Sequence, residues 1–328
     1  MKLVLFFPLF VLLFLLKDKT TLAGEDRDNA LIATFSIIAC DTAAGELGVA
    51  VASRFFSVGS VVPWARAGIG AVATQSFANT SFGWRGIELL EKGATPAEAV
   101  QILTRNDSAP QKRQFGIVSA DGRSATYTGS ECVPWAGGRH GPNYAVQGNI
   151  LTGEDVVVAM EEAFLNTAGT LADRIYAALL AGDSKGGDSR GKQSASLLVV
   201  KDGAGYGGFT DRAIDIRVDD HAEPFKELGR LLKIGQMNYS WNEGWTLFRQ
   251  NKAKQALAPM ERTAKLAPAN AEVWYDLAVI RLAAGKTPEA LESLRRAVEL
   301  NPKLKAQAAG DADLGQIKNN DTFRKLIK

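Results

Sequence analysis

Histidine and cysteine are nearly absent, with two of each in 328 residues. His140 and His221 stand alone, and no C-x-x-C or H-x-x-x-H spacing exists, so no ligand set for a metal site can be read from the chain. Asp219-Asp220-His221 reads instead as a surface turn. Neither histidine stands in the context a Ser-His-Asp triad needs, and no G-x-S-x-G elbow is expected. The glycine-rich stretch Gly203 to Gly208 precedes no helix pattern, so it lacks the helix N-terminus of a phosphate cradle. Excess charge of either sign is missing too: 38 Lys and Arg against 36 Asp and Glu leave +2. That balance gives no electrostatic footprint for nucleic acid or an anionic membrane. The expectation is therefore no metal, no cofactor and no nucleic-acid partner.

A bilayer-spanning run is also lacking. After Lys2 the residues Leu3 to Leu16 are uninterruptedly apolar, but these 14 positions fall short of the roughly 20 that a spanning helix needs. The polar stretch Lys17 to Gly24 follows, completing the layout of a secretory signal cut near Ala23 or Gly24. Residues 1–24 are thus expected to be a signal peptide and 25–33 a linker or pro-segment. The protein is expected in the periplasm or outside the cell, touching membrane only through the signal segment. An oxidising compartment would permit Cys40 and Cys132 to pair, although each also fits as a small core residue.

What is present is ordinary folding material, 46% hydrophobic and 23% charged, in a length that suits about two domains. Strand patterns run over 34–40, 47–53, 69–75, 115–119, 124–129, 144–147 and 195–201, with turn residues at Asp41 to Gly45 and Asp121-Gly122. Helical spacing marks 80–92, 96–106, 154–166 and 171–181, and Thr95-Pro96-Ala97-Glu98 has the form of an N-cap. Helices that come in pairs between hairpins predict an α+β fold in which two antiparallel sheets lie between helix layers, a four-layer αββα sandwich over 34–235.

From 236 to 328 the pattern is purely helical and repeats itself. A shift of about 34 residues superposes Gly244 on Ala278, Ala256-Leu257 on Ala290-Leu291, Leu266 on Leu300 and Pro268 on Pro302, which resembles tetratricopeptide repeats. The tail from Asp313 to Leu326 reads as a capping helix or a degenerate third unit. Stacked helix pairs present a concave groove, so a protein or peptide partner is expected there.

The chemistry-bearing residues stand at predicted strand ends: Thr34 opens the first strand, Ser53-Arg54 end the second, Arg66 precedes the third and Gln75 closes it. Gln147-Gly148-Asn149 join a strand to a helix, and Asp188, Arg190, Gln193 and Ser194 lead into the last strong strand. This order resembles the N-terminal nucleophile hydrolases, among them proteasome β subunits and glycosylasparaginase, although this chain has Ser53 where proteasome subunits carry an acid and Arg66 where they carry lysine. The stretches TFSIIACD, ELGVAVASRFFSVGSVVPWARAGIGAVATQS, YAVQGNIL, GGDSRGKQSA and DIRVDDH resemble, more specifically, the domain-of-unknown-function 1028 family, which is grouped with those hydrolases by fold.

The resemblance implies Thr34 as a nucleophile whose own α-amine serves as base, Arg66 as the cation that keeps the amine deprotonated, and Asn149 as an oxyanion donor. Ser53, Arg54, Gln75, Asp188, Arg190, Gln193 and Ser194 would shape the pocket or bind an amide or peptide substrate. The amine exists only if the 33 preceding residues are removed, with the last cut between Ala33 and Thr34. Two functions are therefore expected: an exported amidohydrolase, or an inactive αββα domain that serves with the repeats as a binding scaffold. Homo-oligomerisation is compatible with either.

Overall fold

The computed structural model describes residues 34–328; the expected signal peptide and linker lie outside the described residues. Ten strands form two antiparallel sheets. The first is six-stranded, in the order β10 (Arg212–Val218), β9 (Ser194–Val200), β2 (Glu46–Ser53), β1 (Thr34–Asp41), β8 (Tyr144–Asn149), β7 (Gly137–Gly141). The second has four strands, in the order β3 (Pro63–Arg66), β4 (Gly70–Ser76), β5 (Arg113–Ser119), β6 (Ser124–Thr128).

The central strands are apolar on both sides because both sides are covered. With side chains alternating across the sheet, Ile38, Cys40, Val49 and Val51 face the second sheet and pack on Ala71, Ala73 and Val118. Phe35 and Ile37 point the other way, onto Met160 of α3 (Asp155–Asn166) and Ile175 and Leu179 of α4 (Leu171–Ser184). The far face of the second sheet carries Val72, Phe115 and Ile117 against Phe82 and Ile87 of α1 (Ser81–Glu91) and Leu103 of α2 (Pro96–Arg105). The result is the four-layer αββα arrangement. Thr95 caps α2 as its sequence suggests, its hydroxyl accepting from the Glu98 amide while the Glu98 carboxylate accepts from the Thr95 amide.

Strands β3, β7 and β10 were not expected from the sequence. β3 and β7 are edge strands, and β7, with the sequence Gly-Gly-Arg-His-Gly, offers no apolar alternation. β10, also at an edge, is broken by a register shift between Arg212 and Ile214.

Helix α5 (Pro224–Arg249) is continuous across residues 235 and 236, where the division between domains was expected. Its first half buries Phe225, Leu228 and Leu232 in the core under the six-stranded sheet. Its second half begins the repeats, which continue as α6 (Ala253–Leu266), α7 (Ala271–Ala283) and α8 (Thr287–Leu300). Gly244 lets α5 and α6 touch, since a Cβ there would lie 2.5 Å from Met260. The tail forms α9 (Leu304–Gly310) and α10 (Asp321–Leu326) and caps the stack with buried Leu314, Ile317 and Phe323.

Cys40 and Cys132 are both buried and form no disulfide. Burial, followed by the charges of Asp41 and Asp121, pushes the Cys40 thiol up to about 11, which makes it a poor thiolate and a packing residue. Among the described residues no helix is long and apolar enough to cross a membrane.

Gly83 of α1 brings the helix close against β3, where an added Cβ would lie 2.2 Å from the Trp64 ring. Gly83→Ala should therefore cost about 1–3 kcal/mol, read as a lower urea midpoint with unchanged slope; wild-type stability in that variant would mean that α1 and β3 do not pack this way.

Candidate functional site

Register places the expected residues. Thr34 lies opposite Ser53 on one side and Asn149 on the other, and Ser53 lies opposite Ser194, so four adjacent strands carry a polar row Ser194–Ser53–Thr34–Asn149. All four are buried and share the alternation of the residues that face the second sheet. The facing sheet answers with a row of its own, Gln75–Gln114–Thr128. The two rows meet at one end of the sandwich.

A carboxamide network joins them. Gln75 Nε2 donates to the Thr34 carbonyl at 3.1 Å and to Gln114 Oε1 at 2.9 Å, while its Oε1 accepts from Ser36 Oγ at 2.6 Å. Gln114 Nε2 donates to the Gly148 carbonyl at 2.7 Å and to Thr128 Oγ1 at 3.0 Å, and its Oε1 also accepts from Asn149 Nδ2 at 2.9 Å. One turn of the alternation deeper, Gln147 Nε2 donates to Ser36 Oγ and Gln147 Oε1 accepts from Thr126 Oγ1. Gly116 makes room for this side chain, because a Cβ there would lie 2.3 Å from Gln147 Oε1.

Backbone strain brackets the same end. Ser76, directly after Gln75, has φ 66°, and Ile150, directly after Asn149, has φ 52°. A β-branched residue in the left-handed region is an outlier that costs on the order of 1–3 kcal/mol, and such outliers cluster at functional sites. The loop after Ser76 is held by Arg113, which donates to the Phe77 carbonyl and, through Nε, to Asp107 at 2.9 Å. Asp107 also accepts from Asn79 Nδ2 at 2.7 Å and from the Ala109 amide at 2.8 Å.

Asp188, Arg190 and Arg54 form a clamp beside Ser53. Asp188 accepts from the Arg54 amide at 2.9 Å and from Arg190 Nη2 at 3.0 Å, and the two arginines exchange hydrogen bonds with each other's carbonyls. Next to it lies a cavity of about 250 Å³ lined by Phe35, Ser53, Asp183, Asp188, Lys192 and Phe225. Ser194 serves the fold: its hydroxyl donates to the Phe55 carbonyl and accepts from the Val58 amide, holding the loop after β2. Gln193 turns outward to Asp220 at 3.2 Å. Gly187-Asp188-Ser189-Arg190-Gly191 has G-x-S-x-G spacing, but it leads from α4 into β9 rather than from a strand into a helix, so Ser189 is on no nucleophile elbow.

Arg66 does not join the site. It pairs with Gly70 at the start of β4, five residues and roughly 17 Å from Gln75 at its end. Its guanidinium bonds Glu91 at 2.8 Å on the surface. The unforeseen strand β3 is the reason: it makes Arg66 the tip of a hairpin instead of the entry to a strand. Conversely, Gln114 is central and was not singled out. The available clue was a glutamine directly before the apolar stretch Phe115 to Val118, two residues before the glycine that leaves space for a second glutamine.

A threonine at a strand start, buried in a row of hydroxyls and carboxamides between two sheets of an αββα sandwich, defines the class of domain; comparison with known families defines it further. Residues 34–228 match the family of unknown function DUF1028, and the chain belongs to that family. Residues 242–305 match the tetratricopeptide repeat. A crystal structure of a DUF1028 protein from Silicibacter pomeroyi is 30% identical, covers 62% of this chain and 89% of its own, and superposes with a TM-score of 0.57. No curated protein matches the chain.

Two outcomes test this geometry. Gln114→Leu strands the partners of a buried amide, each costing about 1–3 kcal/mol, so a loss of roughly 2–4 kcal/mol in chemical denaturation is expected; a loss under about 0.5 kcal/mol would show the network to be idle. Asp107 is the pH-sensitive member. Burial raises its pKa, but the bonds from Asn79, Ala109 and Arg113 outweigh burial and hold it below the ordinary value. A depressed folded-state pKa gives stability that is present above the unfolded value, about 4, and lost as pH falls through the folded one. The acid limb of stability should flatten in Asp107→Asn, and an unchanged limb would exclude Asp107 as its source.

Proposed function

We propose that the αββα domain is an amide-bond hydrolase that becomes active when Thr34 is the first residue of the chain, in an exported protein. The observation that carries this reading is the composition around Thr34: hydroxyls and carboxamides, with the neighbouring carboxylate, Asp188, committed to Arg190 and a backbone amide. The built-in base for Thr34 is then the α-amine that a cut after Ala33 would create. Arg66 has no part in it.

In this mechanism Thr34 Oγ attacks the amide carbonyl and its proton passes to the α-amine. Asn149 Nδ2, released from Gln114, or the amide of a neighbouring residue donates to the oxyanion, a contribution of about 3 kcal/mol for one good donor. The C–N bond breaks, the leaving nitrogen takes the proton, and water then hydrolyses the Thr34 ester. Self-removal of the leading segment would run as an N-to-O shift, since before the cut the Thr34 nitrogen is an amide: the Thr34 hydroxyl adds to the Ala33 carbonyl, its proton passes to the departing Thr34 nitrogen as the C–N bond breaks, and water hydrolyses the resulting ester. The alternative, a scaffold without catalysis, is favoured by the repeats, whose stacked helices form binding surfaces.

Intact mass of the mature protein separates the two. A chain that begins at Thr34, with Thr34→Val folded but uncut and inactive on amide substrates, is the expected result. Amide hydrolysis by Thr34→Val, or by a chain that retains residues 25–33, would sink the mechanism.

A further inference from the structure

A cavity of about 580 Å³ lies where α5 passes the loop between β9 and β10, far along the chain from Thr34. Its walls come from both halves of the protein: Tyr206 and Gly207 from the loop, Arg212 from β10, and Tyr239, Trp241, Trp245 and Arg249 from α5. That volume is ordinary for a ligand pocket. The loop is fastened to the helix, because Asn242 Oδ1 accepts from the Gly207 amide at 3.0 Å and its Nδ2 donates to the Gly205 carbonyl at 2.9 Å.

The chemistry of the walls is selective. Trp241 and Trp245 each donate their indole N–H to Asp276 at 2.7 Å, so both polar edges are used and apolar ring remains for the cavity. Arg249 makes no ion pair among the described residues, and Arg212 bonds only Asp215. No acidic side chain lines the cavity. Tyr206, which lines the cavity, is 82% exposed and leaves its ring open to a ligand.

We propose that this junction cavity binds an extended peptide segment in which an aromatic or branched apolar side chain is flanked by carboxylates. The ring surfaces would take the apolar group, and Arg212 and Arg249 the carboxylates. An extended chain fits better than a compact ligand because Trp241 also lines a second recess, with Glu272, Asp276 and Gln307, that continues across α5, α7 and α9. The sign of charge reverses between the two recesses, which orients the segment with its acidic part at the junction. The inference deepens the binding role of the repeats and is independent of chemistry at Thr34.

Thr34→Val protein titrated with capped seven-residue peptides tests it apart from any hydrolysis, with calorimetry and tryptophan fluorescence as readouts. The peptides differ only in the two residues that flank a central phenylalanine: glutamate, glutamine or lysine. The glutamate peptide should bind about tenfold or more tighter than the lysine peptide, and less tightly as salt rises. Arg212→Ala with Arg249→Ala, both exposed positions that leave the core untouched, should remove most of that preference while the glutamine peptide binds as before. Equal affinity for the glutamate and lysine peptides, no binding up to about 1 mM, or a preference that survives loss of both arginines would overturn the proposal.

Discussion

Three buried glutamines decide how the two sheets face each other. A carboxamide taken out of water without partners is costly, so Gln75, Gln114 and Gln147 are tolerable only where every donor and acceptor meets another. They meet because β4 and β5 lie in one register with each other and opposite β1 and β8. Slide either sheet by one residue and the amides would face apolar side chains; the apolar pairs Val51 and Ala73 would lose each other as well. Apolar packing supplies most of the cohesion between the layers, but it is indifferent to small displacements. The amides make the sandwich specific, and Thr34 inherits its position from them through the hydrogen bond on its carbonyl.

Much of this architecture was legible in the sequence because its elements are periodic or strongly apolar. β1, β2 and β9 read as continuous apolar runs, since each is covered on both faces. Helices α1 to α4 carry apolar residues at three- and four-residue spacing, and the repeats announce themselves by their period. The weak elements are those that tertiary context creates. β7 is held by pairing with β8 rather than by its own composition, and β3 is four residues long.

The candidate site was legible in part, for a related reason. Thr34, Ser53, Asn149 and Gln75 are brought together because strand ends in a sandwich converge, and their positions along the strands could be read. Arg66 was misplaced by one unseen strand that reversed its direction. Ser194 and Asp188 are where the pattern put them, yet their side chains hold loops and an ion pair, a distinction that distances show and spacing does not.

Helix α5 has a consequence of another kind. Twenty-six residues at 1.5 Å per residue make a rod of about 39 Å, one end of which is part of the sandwich core and the other the first helix of the repeat stack. There is no hinge between the halves, only a shared beam. Cutting the protein at the composition change would saw through that beam, exposing Leu228 and Leu232 to fraying on one side and leaving α6 without its partner on the other. The two halves therefore share one structural element, and a change that unwinds the middle of α5 reaches both of them.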